Sequence, residues 1–252
     1  MCMKVFFAGA SGAIGQRLLP MLLERGYQVL AISRSAQRAA ALEAAGARAL
    51  VLDVYDAQTL SAAMREFQPR WVIHQLTDLP AGLDPALMPA AQPRNARVRR
   101  EGTANLVAAA RAAGVERMVA QSIAWAYAPG ELPLHEEQPL DLGAEGPRAI
   151  SVGGVAALEE AVLGARPMEG IVLRYGRLYG PGTGADAADP RLAVHVDDAA
   201  RAALLALEWG AHGAYNIAEQ DIEISSAKAR HRLGWQPGSA WRECRHEPRL
   251  GA

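Results

Sequence analysis

The chain has 252 residues, half of them hydrophobic and about a fifth charged, which suits one globular domain with a small appendage and excludes wholesale disorder. A formal net charge of -1 gives no reason to expect nucleic acid or an anionic membrane as a partner, so a small-molecule substrate is the expectation. No run approaches the roughly 18 to 20 apolar residues a spanning helix needs. The apolar stretch after Lys4 is interrupted by glycines too soon to form a signal peptide. Cys2 and Cys244, near opposite ends, suggest neither a disulfide framework nor a zinc site, and the six histidines show no short ligand spacing. The expected setting is a reducing cytoplasm, with no metal.

In chain order, Lys4 to Ala8 reads as a buried strand, followed by a helix in which Ile14, Leu18, Leu19, Leu22 and Leu23 recur until Gly26. Gln28 to Ser33 is a second strand, Ala36 to Ala45 a helix, Ala49 to Leu52 a third strand, and Trp71 to Leu76 a fourth after another helix. A long helix is expected over Val98 to Ala113, then a fifth strand over Arg117 to Ser122. This is the punctuation of repeated βα units and of a doubly wound α/β sheet. Pro129 to Pro147 reads as a surface loop. Gly154 to Leu163, Asp197 to Trp209 and Ser225 to Leu233 read as helices, with strands at Gly170 to Arg174 and Ala214 to Ile217.

The segment Gly9-Ala10-Ser11-Gly12-Ala13-Ile14-Gly15 leaves a strand and opens a helix. Gly9 permits the tight turn, Gly12 lets backbone approach a pyrophosphate, and Gly15 lets the helix pack against the strand. Free N–H groups at that helix start favour a diphosphate, so a nicotinamide dinucleotide is the expected ligand. The residues expected to hold it are Gly9, Ser11, Gly12, Ala13, Ile14, Gly15, Ser33, Arg34, Asp53, Val54 and Leu76. An acid closing the second strand would repel a 2′-phosphate; here stand Ser33 and Arg34, which can accept one, and NADP is favoured over NAD. Asp53 can accept from the adenine amino group, though a helix-capping role for it or Asp56 is an open alternative.

These residues resemble the extended short-chain dehydrogenases, the NAD-dependent epimerase/dehydratase family. The matching pieces are Gly9 to Gly15, Trp71 to His74, Glu101 to Leu106 with Gly114 to Arg117, Ser122 to Tyr127, Leu173 to Gly176 with Tyr179 to Gly182, His195 to Asp198, Tyr215-Asn216 and Leu233 to Trp235. The resemblance implies one Rossmann domain over 1–252, helices on both faces of a parallel sheet. It also implies a small substrate lobe from parts of 128–150, 176–195 and 217–252. Only ten residues separate Gly184 from His195 and eight separate Asn216 from Ser225, so that lobe is reduced and a small carbonyl or hydroxyl compound is the expected substrate. Relatives commonly pair through two helices, which makes a homodimer through Val98 to Ala113 and Gly154 to Leu163 an expectation.

The family's acid/base pair, a tyrosine with a lysine four residues later, is missing. Aligning Ala156 to Glu159 with the family's helix puts Ser151 and Val155 at those positions, and Ile123 stands where a serine is expected. With Lys4 and Lys228 as the only lysines, no register restores the motif. Two readings stay open: an atypical oxidoreductase or epimerase-like enzyme, or a catalytically silent dinucleotide-binding sensor. For the enzyme, Ser122, Tyr127 and Ser151 are the candidate catalytic residues, and Arg174 and Tyr179 the candidate substrate contacts. Each has a bland alternative in backbone bonding, packing, capping or surface pairing.

Overall fold

The computed structural model describes residues 3–238. Cys2 and Cys244, and the end of the expected C-terminal lobe, lie outside the described residues. Seven strands form one parallel sheet in the order β3-β2-β1-β4-β5-β6-β9. They are β1 (Lys4–Ala8), β2 (Gln28–Ser33), β3 (Arg48–Val51), β4 (Trp71–His74), β5 (Arg117–Ile123), β6 (Glu169–Tyr175) and β9 (Gly213–Ile217). Most are apolar throughout because both faces are covered, as parallel sheets require. Alternate residues of one strand feed two separate cores. Val5 and Phe7 pack on α1 (Ala13–Glu24) and α7 (Val196–Trp209). Phe6 and Ala8 pack on α3 (Ala57–Phe67), α5 (Thr103–Ala112) and α6 (Gly146–Leu163). The remaining helices are α2 (Ala36–Ala44), α4 (Met88–Arg97) and α8 (Ala227–Leu233). No helix among the described residues is long and apolar enough to cross a membrane.

Three expectations need correction. The helix expected from Val98 begins at Met88 as α4 and passes through a π-helical turn, Val98–Gly102, into α5. Pro89 is tolerated in its first turn, where no N–H partner is needed, and Pro93 lies further inside the helix. The helix expected from Gly154 begins at Gly146, which places Ser151 within α6 instead of at its cap. Its packing supplies what the loop-like sequence lacks: Gly154 sits against Ala96 of α4, where an added Cβ would meet the Ala96 Cα at 3.0 Å. Two short strands that the sequence reading did not name, β7 (Arg177–Tyr179) and β8 (Ala193–His195), pair in a separate ribbon within the stretch assigned to the substrate lobe.

The chain reverses its winding between β1 and β4, since β2 and β3 lie to one side and β5, β6 and β9 to the other. A crevice opens at the carboxyl edge of such a switch point, and ligands of open α/β sheets bind there.

Candidate functional site

The glycine turn floors that crevice. Gly9 has φ +99°, and a Cβ there would stand 2.5 Å from the Gln75 carbonyl carbon, so a side chain is excluded by both conformation and space. At Gly15 an added Cβ would collide with the Gly9 and Ala10 carbonyl oxygens. Gly12 differs: a Cβ would touch only Gly9 O, at 3.4 Å. Nothing in the protein demands glycine there, and Gly12 lines the open crevice. Gly12 caps α1 without a side-chain hydrogen bond, and the first turn carries no acid. That leaves the helix start open to an anion.

The cleft holds about 550 Å³ and runs to either side of this turn. At one end Ser33, Arg34, Ser35 and Arg38 meet Leu52, Val54 and Tyr55. Ser33 Oγ accepts from Ser35 N at 3.2 Å, and Ser35 Oγ accepts from Arg38 N at 3.3 Å, which fixes the α2 start beside two guanidinium groups. Arg34 keeps 54% of its side chain exposed and approaches Asp78 only to 3.7 Å. The other wall is made by Gln75 to Thr77, Leu79 to Leu83, Gln121, and the turn that carries Leu178, Gly182 and Thr183. That turn is seated over the cleft, because a Cβ on Gly184 would strike Gly82 at 2.5 Å and one on Gly182 would meet Ala13 at 3.8 Å. Gln75 is buried at the cleft floor, its carboxamide beside the Tyr175 hydroxyl. The neighbouring Tyr175 hydroxyl donates to Ala199 O at 3.2 Å. A carboxamide at the cleft floor has both donor and acceptor capacity to offer a polar ligand group. Free helix N–H groups, space above Gly12 and paired arginines at one end all fit a nicotinamide dinucleotide.

Of the expected cofactor residues, Gly9, Ser11, Gly12, Ala13, Ile14, Gly15, Ser33, Arg34, Val54 and Leu76 line this cleft. Asp53 stands outside the lining, its Oδ1 accepting from Tyr55 N at 3.0 Å on the surface.

The catalytic candidates lie elsewhere. Ser122 donates to Glu159 Oε1 at 2.7 Å; Arg174 donates to the same carboxylate through Nε at 3.0 Å and Nη2 at 2.6 Å. Arg174 Nη1 donates to the Tyr127 hydroxyl at 2.7 Å, and that hydroxyl donates to Asn216 Oδ1 at 2.7 Å. Asn216 N in turn donates to Glu136 Oε1 at 2.8 Å. Every member of the chain from Ser122 to Asn216 is buried, and none lines the cleft. Burial pushes the Tyr127 phenol up to about 12, although Arg174 pulls it down. Burial opposes the Arg174 charge, but the Glu159 carboxylate more than offsets this and holds its pKa above the usual value. The structure thus joins Ser122, Tyr127 and Arg174 in one satisfied polar network beneath the sheet edge. Ser151 is buried on α6 apart from that network, and Tyr179 stacks edge-on against His195 with ring centres 5.0 Å apart.

Sequence reasoning missed Glu159, the hub of that network, and Arg99 on the π-helical turn. Arg99 is 5% exposed. Desolvation lowers its pKa to about 10, with Glu159 acting in the opposite sense. It also missed Gln121 and the 77–83 wall, whereas the turn from Tyr179 to Gly182 was expected near the site. The alternation of β5 carried the signal for Gln121, since a step of one residue turns it from the Ser122 face to the opposite one. A second groove, at the amino edge of β4 and β5, is lined by Arg70, Arg111, Arg117 and Glu169. It is far from the glycine turn, and two of its arginines are already paired, Arg70 with Glu116 and Arg117 with Glu169, each at 2.7 Å.

Comparison with known proteins agrees with this geometry. Residues 9–203 match the family described as NAD(P)H-binding. A 3-diazoavenalumate denitrifying reductase of Streptomyces is 40% identical over 240 residues, covering 87% of this chain and 77% of that protein. A 4-hydroxy-2-methyl-3-oxo-4-farnesyl-3,4-dihydroquinoline-1-oxide ketoreductase of Stigmatella aurantiaca is 31% identical over 147 residues, 55% of this chain and 39% of the other. The UDP-glucose 4-epimerase of Thermotoga maritima superposes with a TM-score of 0.77 at 19% identity, over 96% of this chain and 99% of that one, which establishes the shared fold. Named reductases among the relatives decide between the two readings of the sequence in favour of an enzyme. With its glycine-floored cleft, its switch-point sheet and these relatives, the chain belongs to the NAD(P)H-binding family and shares its fold with the UDP-glucose 4-epimerase.

Proposed function

We propose that this protein is an NADPH-preferring reductase that delivers hydride to a small organic electrophile. The observation that carries the reading is the polarity of one continuous cleft, with Arg34 and Arg38 at one end, the glycine turn in the middle and an uncharged inner end. A reduced nicotinamide dinucleotide bound along it supplies the hydride. The α1 amides and Gly12 would take the pyrophosphate, Ser33, Arg34 and Arg38 the 2′-phosphate, and Gln75, Thr77 and Gln121 would orient whatever meets the inner end. The turn carrying Gly182 and Thr183 would shield that end from water.

The names of the two relatives, carried to this chain, offer two hydride acceptors, a diazo group and a ketone. Calorimetric titration with NADPH and NADH tests the cofactor half of the reading. A charge-assisted phosphate contact contributes about 1.5–3 kcal/mol, so NADPH is expected to bind about 10- to 100-fold tighter, and Arg34→Gln to erase most of that margin. Equal affinities in the unaltered protein would remove the preference. Silence toward both dinucleotides would remove the function.

A further inference from the structure

Which acceptor the cleft serves can be argued from proton demand, and the argument rests on the function proposed above. Among the described residues, the titratable side chains that line the cleft are Arg34, Arg38 and Tyr55, all at the end where Ser33 and Val54 meet. The inner end presents Gln75, Thr77, Leu79, Gln121, Leu178 and Thr183, none of which gives up a proton near neutral pH. Tyr127 stands outside it with its proton committed to Asn216.

A ketone is poorly served by such surroundings. Hydride added to a carbonyl carbon leaves an alkoxide beside a newly positive nicotinamide, and separating charge away from bulk water is costly unless an acid supplies a proton. An aryl diazonium ion makes no such demand. It begins cationic, so receiving hydride neutralises it, and positive charge is moved without being created.

We propose that the inner cleft takes an aryl diazonium ion and reduces it to the arene. The hydride pair forms an N–H bond at the terminal nitrogen as one N–N π bond gives way, leaving a neutral aryldiazene. The C–N bond then breaks with its electron pair on the ring carbon. That carbon takes the diazene proton, exchanged through water, and dinitrogen leaves. The reductant is one reduced nicotinamide dinucleotide, oxidised by two electrons, and the protein neither gives nor consumes a proton.

The test uses the whole protein with NADPH and 4-methoxybenzenediazonium at neutral pH, against a protein-free mixture and the Gly12→Val variant. NADP and anisole are expected in equal amounts, formed about tenfold or more faster than without protein, a margin of about 1.4 kcal/mol or more in barrier. The matched ketone, 4-methoxyacetophenone, is expected to react slower by about 10² or more, the usual worth of a missing acid. A readout without turnover comes from the isosteric 4-methoxybenzonitrile, expected to bind the NADP-loaded protein and to lose about tenfold or more in affinity when Leu178→Trp fills the cleft. If NADPH binds and the diazonium ion is consumed no faster than in the blank, or the ketone is the better substrate, this proposal falls and the reductase reading survives. If NADPH does not bind, both fall.

Discussion

Replacing Glu159 by leucine exposes how much of this molecule depends on one buried carboxylate. Glu159 is 4% exposed and accepts from Ser122 and twice from Arg174. Its charge also attracts the buried Arg99 guanidinium. Leucine of similar volume fills the space but leaves two guanidinium groups without a counter-charge. Removing one partner of a buried pair costs about 3–5 kcal/mol. For a domain of this size each kcal/mol lowers Tm by about 2–4 °C, so the expected drop is about 6–20 °C. Thermal unfolding followed by circular dichroism measures it, with Arg174→Leu and the double variant completing a cycle. Because Arg174 and Glu159 touch, the double variant should be less destabilised than the sum of the singles, by about 1–3 kcal/mol. Adding Arg99→Met should recover further stability, since it removes the last uncompensated charge. A Glu159→Leu variant that melts within about 3 °C of the parent, or a cycle with coupling below about 0.5 kcal/mol, would refute the network as a stabilising unit.

Three further outcomes follow from the same geometry. Gly12→Val should leave the fold and Tm nearly intact, because an added Cβ meets only Gly9 O at 3.4 Å. It should weaken NADPH by about 10²-fold or more, since the branched side chain occupies the diphosphate position; unchanged affinity in calorimetry would contradict the assigned ligand position. Tyr127→Phe removes a hydroxyl that bridges Arg174 and Asn216 and should cost about 1–3 kcal/mol in chemical denaturation, with turnover per folded molecule changed by less than about tenfold. A fall of about 10² or more would return that tyrosine to the role of proton donor. His74 is buried, and desolvation, with Arg99 nearby, lowers its pKa from 6.5 to about 4. Its contribution is therefore complete above pH 6.5 and is lost as pH falls toward 4, where the unfolded chain binds the extra proton. The loss amounts to about 3 kcal/mol, and denaturant titrations across that window should flatten in His74→Gln.

Local pattern alone was enough for the first half of the chain and for the cofactor end of the site. The run Lys4 to Ala8, the glycines at 9, 12 and 15 and the helical recurrence from Ile14 to Leu22 are neighbours in sequence whose geometry is fixed by short-range sterics and burial period. The same holds for Ser33 and Arg34 at a strand end. What the tertiary structure decided lies at longer range. Glu159 lies 37 residues after Ser122 and 15 before Arg174, and the three meet because β5, α6 and β6 pack on one face. The single-residue alternation of β5 then sends Ser122 into that buried network while Gln121 lines the cleft. The walls around 77–83 and 178–183 face each other through Gly82 and Gly184, a contact no local window contains. Side-chain direction and long-range contact depend on which elements cover which face, so sequence could name the candidate residues but could not say which of them reach the ligand.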